Sequence, residues 1–545
     1  MRWSDVLVLG KQDCTYRTLA VCGRTVLKPF AIVAWAVFFS CPSLFAQGAH
    51  SHPVVAPAAV MPLLDGLGAV HHPVVTTHAE AQRYFDQGLT LIYAFNYNDA
   101  HRSFLRASEI DSTCAMALWG IALSRGSFIN HRMSAADLPS ADSVVRLALA
   151  RVTAPHERAL IEALAVRYAA SRDLSMDERE ARYSQQMELV AARYPDDLDV
   201  QTLYAESIMN LRPWKQWRRD GSPEAGTVTL VGVLERVLGR NPAHLGANHY
   251  YIHAVEGSRH PERALPSAEL LRAGQFPAPA VHLTHMPAHV YLRTGAYALA
   301  VGSALSADSL AGPFLHNLEF LFATRMMMTD SAAAQRVAEQ VAAVATRMLR
   351  RSSVFEAYLA RPMLAMVRFA RWGEIIETSS PDTTQRVHTM QWLWARGMAF
   401  AGVRRVAEAT AALKEHDDLL ARYRTDDPEF EQAVRKSGQL ESYALSSAIA
   451  LASGRKSEAM SFLSAGVTAE SKLPYTEPPD WLFPFLEQRG RVRLLGSDAR
   501  GAAVDFRADL VERPRSPRSL AGLAEALRMQ GRADAAARVD LRSAP

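Results

Sequence analysis

Seven of the chain's 18 histidines lie between His244 and His289, a window of 46 residues. Five of them occur in NHYYIHAVE (Asn248 to Glu256) and HLTHMPAH (His282 to His289), and HNLE (His316 to Glu319) follows. Histidines four apart share one face of a helix. This spacing pairs His249 with His253 and His285 with His289, and sets Glu256 nearly one turn beyond His253. Neutral imidazole is a common ligand for copper, zinc, iron and nickel, and a carboxylate often completes such a site. The expected donor set is His249, His253, Glu256, His282, His285, His289, His316 and Glu319, for a transition metal ion (copper, zinc or iron). No HExxH motif occurs, so zinc-protease chemistry has no support. The cluster holds no Cys, which argues against blue-copper and iron–sulfur sites. The sequence also has no glycine-rich phosphate loop and no GxSxG elbow.

The elements that must position these residues are helices. A chain of 545 residues exceeds one compact core and predicts several domains or a repeat array. From Ala79 onward the pattern is helical, without useful strand alternation. In YFDQGLTLIYAFNYNDAHRSFLRASEIDS, the residues Tyr84, Gly88, Leu91, Ala100, Phe104 and Ala107 fall at spacings that resemble the tetratricopeptide repeat (TPR), about 34 residues long. Small residues let two helices approach, and the aromatic fills the groove beside them. Weaker units occur at Gly397 to Leu413, Ala450 to Leu463 and Ser519 to Val539. The resemblance implies an all-α fold, an α-solenoid of TPR-like helical hairpins in a right-handed superhelix. It extends to exported bacterial TPR proteins. Arrays are expected over 79–375 and 386–545, with a break in ETSSPDTTQ (Glu377 to Gln385).

Carrying the repeat register to the centre, anchored by Pro242, Ala264, Gly295 and Ala334, places the histidines on the first helix of successive hairpins. The resemblance implies that this face lines a concave groove. His249, His285 and Glu319 then occupy equivalent places, as do His253 and His289, and likewise His282 and His316. The expected columns are His249 beside His285 and His253 beside His289, with Glu256 near them. Glu206 and Tyr250 are further groove candidates. The insertion RPWKQWRRDGSPEAGT (Arg212 to Thr227) carries Trp214 and Trp217 as candidates for a lid.

Residues 1–46 read as a signal peptide with an apolar run from Phe30 to Phe39, too short to anchor in a bilayer. The protein is expected to be exported, periplasmic or secreted, with no transmembrane segment after cleavage; a lipid anchor at Cys41 is the alternative. Residues 47–78 read as a linker, in which His71, His72 and His78 are expected in solvent, with a reach back to the groove as the alternative. Cleavage would leave Cys114 as the lone cysteine, a buried small hydrophobe. Formal charge is +4 overall, from 60 basic and 56 acidic residues, which gives no electrostatic case for nucleic acid. Two readings of function follow. One is a metal-dependent enzyme, an oxidoreductase or a hydrolase. The other is a non-catalytic interaction scaffold of the cell envelope, binding a protein, a peptide or an anionic ligand in the same groove.

Overall fold

Phe104 explains the first layer of the structure. Its ring lies between Gly88 and Gly120, where an added Cβ would meet it at 2.6 and 2.3 Å. Only glycine lets the helices on either side come that close to the ring. The same device recurs at the other end of the chain. Phe506 lies against Gly490 and Gly522, again sixteen residues before and sixteen after, with Cβ positions 2.9 and 2.3 Å away. Both rings are fully buried. A helix, a close turn and an antiparallel helix follow from this spacing, repeated along the chain.

The computed structural model describes residues 61–169 and 174–543. The expected signal peptide, the cysteines Cys14, Cys22 and Cys41, and residues 47–60 of the expected linker lie outside the described residues. The first helices are α1 (Ala79–Tyr93), α2 (Tyr97–Ile110), α3 (Ala115–Leu123), α4 (Leu138–Arg151), α5 (Pro155–Tyr168), α6 (Met176–Arg193), α7 (Leu198–Met209) and α8 (Thr227–Arg240). The centre comprises α9 (Leu245–Val255), α10 (Leu265–Ala273), α11 (Val281–His285), α12 (Pro287–Thr294), α13 (Tyr297–Ala311), α14 (Leu315–Met327) and α15 (Ser331–Met348). The chain ends with α16 (Arg361–Arg368), α17 (Trp372–Glu377), α18 (Arg386–Gly402), α19 (Val406–Arg422), α20 (Pro428–Ala452), α21 (Lys456–Glu470), α22 (Phe485–Leu495), α23 (Ala499–Glu512), α24 (Pro517–Met529) and α25 (Ala533–Ser543). Among the described residues the only β-pairing is two isolated bridges, Phe128 with His131 and Trp217 with Pro223. The fold is an all-α solenoid of helical hairpins, each helix packed on its sequence neighbour. No described helix is long and apolar enough to cross a membrane.

Two features close the centre from outside. The C-terminal helices return to it: the Arg368 guanidinium is paired with Glu487 at 2.9 Å, and the Tyr297 hydroxyl donates to the Pro514 carbonyl at 3.1 Å. Residues 61–78 pack along α1, where the Tyr84 hydroxyl donates to the Met61 carbonyl and Gln87 donates to that of Pro62, both at 2.9 Å. His72 in this segment is buried and bonded to Asp199 at 3.2 Å, which corrects the expectation of a solvated side chain. His71 and His78 remain more than half exposed. Cys114 is buried.

Candidate metal centre

α9 reads LGANHYYIHAV, and all eleven of its residues are buried. A helix apolar on most faces belongs inside a structure, and here it takes its histidines inside with it. Its start is fixed by His244, whose Nδ1 accepts from the Ala247 amide at 3.2 Å while Nε2 faces Asp199 at 3.2 Å. Gly246 admits the Tyr93 ring, which an added Cβ would meet at 2.5 Å. Past its end, the Arg293 guanidinium donates to the Glu256 carbonyl at 3.0 Å, a cation at a helix C-terminus. The second histidine helix is interrupted. Pro287 has no N–H to give, so α11 ends at His285 and α12 begins at Pro287. Gly295, at φ +75°, then turns the chain out of α12.

The buried imidazoles are held at one nitrogen each. His249 Nδ1 lies 2.5 Å from the Tyr93 carbonyl oxygen, which can only accept. The Glu256 carboxylate takes His253 Nδ1 on Oε1 at 2.8 Å and His289 Nδ1 on Oε2 at 2.6 Å. Burial alone would raise the Glu256 carboxyl, but the His289 and His253 imidazoles outweigh it and hold its pKa below the ordinary value. Its two oxygens are thus placed to accept one N–H group each. His285 Nδ1 lies 2.7 Å from Asn317 Oδ1. The Asn317 amide is oriented by its own donors, to the Ala304 carbonyl at 2.8 Å and Asp308 at 2.6 Å, so Oδ1 must face the histidine.

With Nδ1 protonated in all four rings, the lone pairs sit on Nε2. Those of His249 and His253 are buried without a hydrogen-bond partner. Those of His285 and His289 point at one another, 3.0 Å apart. Burial drives the pKa of His249 well below the usual histidine value, and burial also lowers that of His289 against the pull of Glu256. His282 and His316 complete the cluster. One nitrogen from each of His249, His253 and His282 lies within 4.8 Å of the others, and the same holds for His285, His289 and His316. Metal-binding histidines carry this pattern: the outer nitrogen donates to a carboxylate or carbonyl and the inner one faces the ion. The donor set fits zinc or copper, which imidazole suits.

The structure revises several expectations. His253 does lie beside His289, ring centroids 5.5 Å apart. His249 instead meets His282 at 4.8 Å, and His285 meets His316 at 4.9 Å. One expected column is kept, and the other two contacts run diagonally, three residues or about one helical turn from the expected place. Glu319 is not among the residues grouped with the histidines: its carboxylate is clamped by Arg361, with contacts of 2.6–3.0 Å. The face is not an open groove either, since His249, His285 and His289 are 0 % exposed and a peptide has no access to them. Covering groups fill the space that the repeat register leaves open. Phe95 stacks within 5.5 Å of His253, Phe320 lies 4.2 Å from the His289 ring, and Trp214 meets the edge of His253 at 5.3 Å.

Trp214 is buried and lines a cleft of about 480 Å³ with Lys215, Arg218, Arg259, Arg293 and Tyr475. Trp217 donates from Nε1 to the Ala254 carbonyl at 2.7 Å, which ties the inserted loop to α9. Glu206 and Tyr250 are buried nearby; burial pushes Glu206 up to about 7, with Asn210 donating to it at 2.6 Å. The register missed Asn317, the Tyr93 carbonyl, Phe95 and Phe320. Asn317 lies inside the HNLE motif, so its place one residue after His316 was the available signal.

No family model matches the chain, and no curated protein matches it. Solved structures do. It resembles human IFIT1 in a dimer with PPP-AAAA (11% identity, TM-score 0.34, covering 86% of this chain and 91% of that one). It resembles yeast Tom70 (11%, 0.31, 85% and 96%) and the APC/C hetero-tetramer Cut9-Hcn1 (12%, 0.31, 82% and 76%). Likeness at this level carries no functional argument, and the fold rests on the chain's own helices.

Proposed function

We propose that this helical-repeat scaffold is a metalloprotein whose central hairpins hold a buried transition-metal centre on imidazole nitrogens. The observation that carries this is the pair His285 and His289. Both Nδ1 atoms face acceptors, so two lone pairs confront each other at 3.0 Å. Two facing acceptor lone pairs repel at that distance unless a positive charge sits between them. Nitrogens bound to one ion at about 2.0–2.1 Å lie about 3.0–3.4 Å apart for N–metal–N angles of about 95–110°. A shared proton is the competing occupant, and it would make a buried imidazolium paired with Glu256 at 2.6 Å.

Elemental analysis of protein purified without chelators decides between them. At least one equivalent of copper or zinc per chain is expected, and none in a variant with His253→Ala and His289→Ala. Metal-free protein that neither takes up copper or zinc nor gains thermal stability on adding either would leave the shared proton as the occupant. The reaction, an oxidation or a hydrolysis, is the finer part of this reading. It is tested by assaying the loaded protein for both.

A further inference from the structure

The six histidines are more than one ion needs. A zinc or copper site takes three or four protein ligands. Their nitrogens form two all-histidine sets, each with its ligand atoms within 4.8 Å of one another. In the first, His249 lies 5.0 Å from His253 and 4.8 Å from His282, and His253 lies 6.0 Å from His282, between centroids. In the second, His285 lies 4.9 Å from both His289 and His316, and His289 lies 5.7 Å from His316. Each set takes a pair from one helical stretch and a single histidine from the next. The sets adjoin where His253 meets His289 at 5.5 Å and His282 meets His285 at 6.0 Å. Glu256 accepts an N–H from one member of each.

From this partition we infer that the centre is dinuclear, with three imidazoles per ion and Glu256 linking the two sets through their outer nitrogens. The inference rests on the metalloprotein reading above and specifies its stoichiometry. Charge indicates the ion. All six imidazoles are neutral ligands, Glu256 supplies one negative charge, and Glu477 beyond it is opposed by Arg293 at 3.9 Å. Two divalent ions would bury four positive charges against that single carboxylate. Two univalent ions bury only two, and an uncompensated buried charge costs several kcal/mol. On that count of charge the pair is copper in its univalent state, imidazole being among the ligands that suit copper.

The test is an anaerobic titration of the full-length, metal-depleted protein with copper(I) against a coloured competing chelator, with zinc(II) run in parallel. Two equivalents of copper(I) are expected, falling to one in His282→Gln and to one in His316→Gln. One equivalent in the unmodified protein overturns the dinuclear centre and leaves a single metal site standing. Two equivalents of zinc with no copper overturn the choice of ion. No binding of either overturns both this inference and the reading beneath it. Since the unmodified protein gives the count by itself, a variant that misfolds does not remove the test.

Discussion

At the scale of residues, Glu256 sets the chemistry. Its carboxylate bridges His253 and His289, and both oxygens are used on Nδ1 atoms. Its part is to fix two tautomers and raise the basicity of two ligands. Glu256→Gln keeps the size but offers one acceptor and one donor, so one of the two imidazoles must turn its lone pair outward. Metal affinity should fall about 10–100-fold, measured by chelator competition, with the helical content unchanged. Equal affinity would place Glu256 outside the centre. Glu319 shows the limit of reading residues singly. It shares its repeat place with His249 and His285, yet it is clamped by an arginine 42 residues later. Register predicts which face a side chain takes, but not which charge will arrive to claim it.

At the scale of elements, the histidines were legible because helical spacing fixes faces. Pairs four apart put His249 with His253 and His285 with His289 whatever the tertiary structure. The repeat register added which helices are neighbours. It missed the diagonal contacts, because Pro287 breaks the second helix between His285 and His289, and the break sets how far each ring advances. It also missed the burial of α9, whose covering groups come from α1, the inserted loop and the C-terminal segment. Such long-range coverage leaves no local period in sequence. The turn after α12 is a point of contact with that distant chain. A Cβ at Gly295 would lie 1.9 Å from the Pro514 carbonyl oxygen, and its φ of +75° disfavours any other residue. Gly295→Ala should cost about 2–4 kcal/mol, read as a lower denaturant midpoint. A change within about 0.5 kcal/mol would mean that the C-terminal helices do not rest on this turn.

At the scale of the whole molecule, a solenoid ordinarily exposes one broad face, and this one does not at its centre. Phe95, Trp214 and Phe320 come from three separate parts of the chain to pack on the histidines. The inserted loop stands between the histidines and the cleft, since Trp214 meets His253 on one side and lines the cleft on the other. Enclosure of this kind turns binding into a question of time. An ion can leave only when the wall opens, so extraction by a chelator should be slow and independent of chelator concentration once that is in excess. Trp214→Ala should speed it at least tenfold while leaving the equilibrium count of ions unchanged, followed by stopped-flow absorbance. Extraction that stays proportional to chelator concentration would show the centre to be open. Where exchange is slower than the life of the protein, the metal found inside records the ions at hand when the chain folded, more than the ranking of affinities measured afterwards.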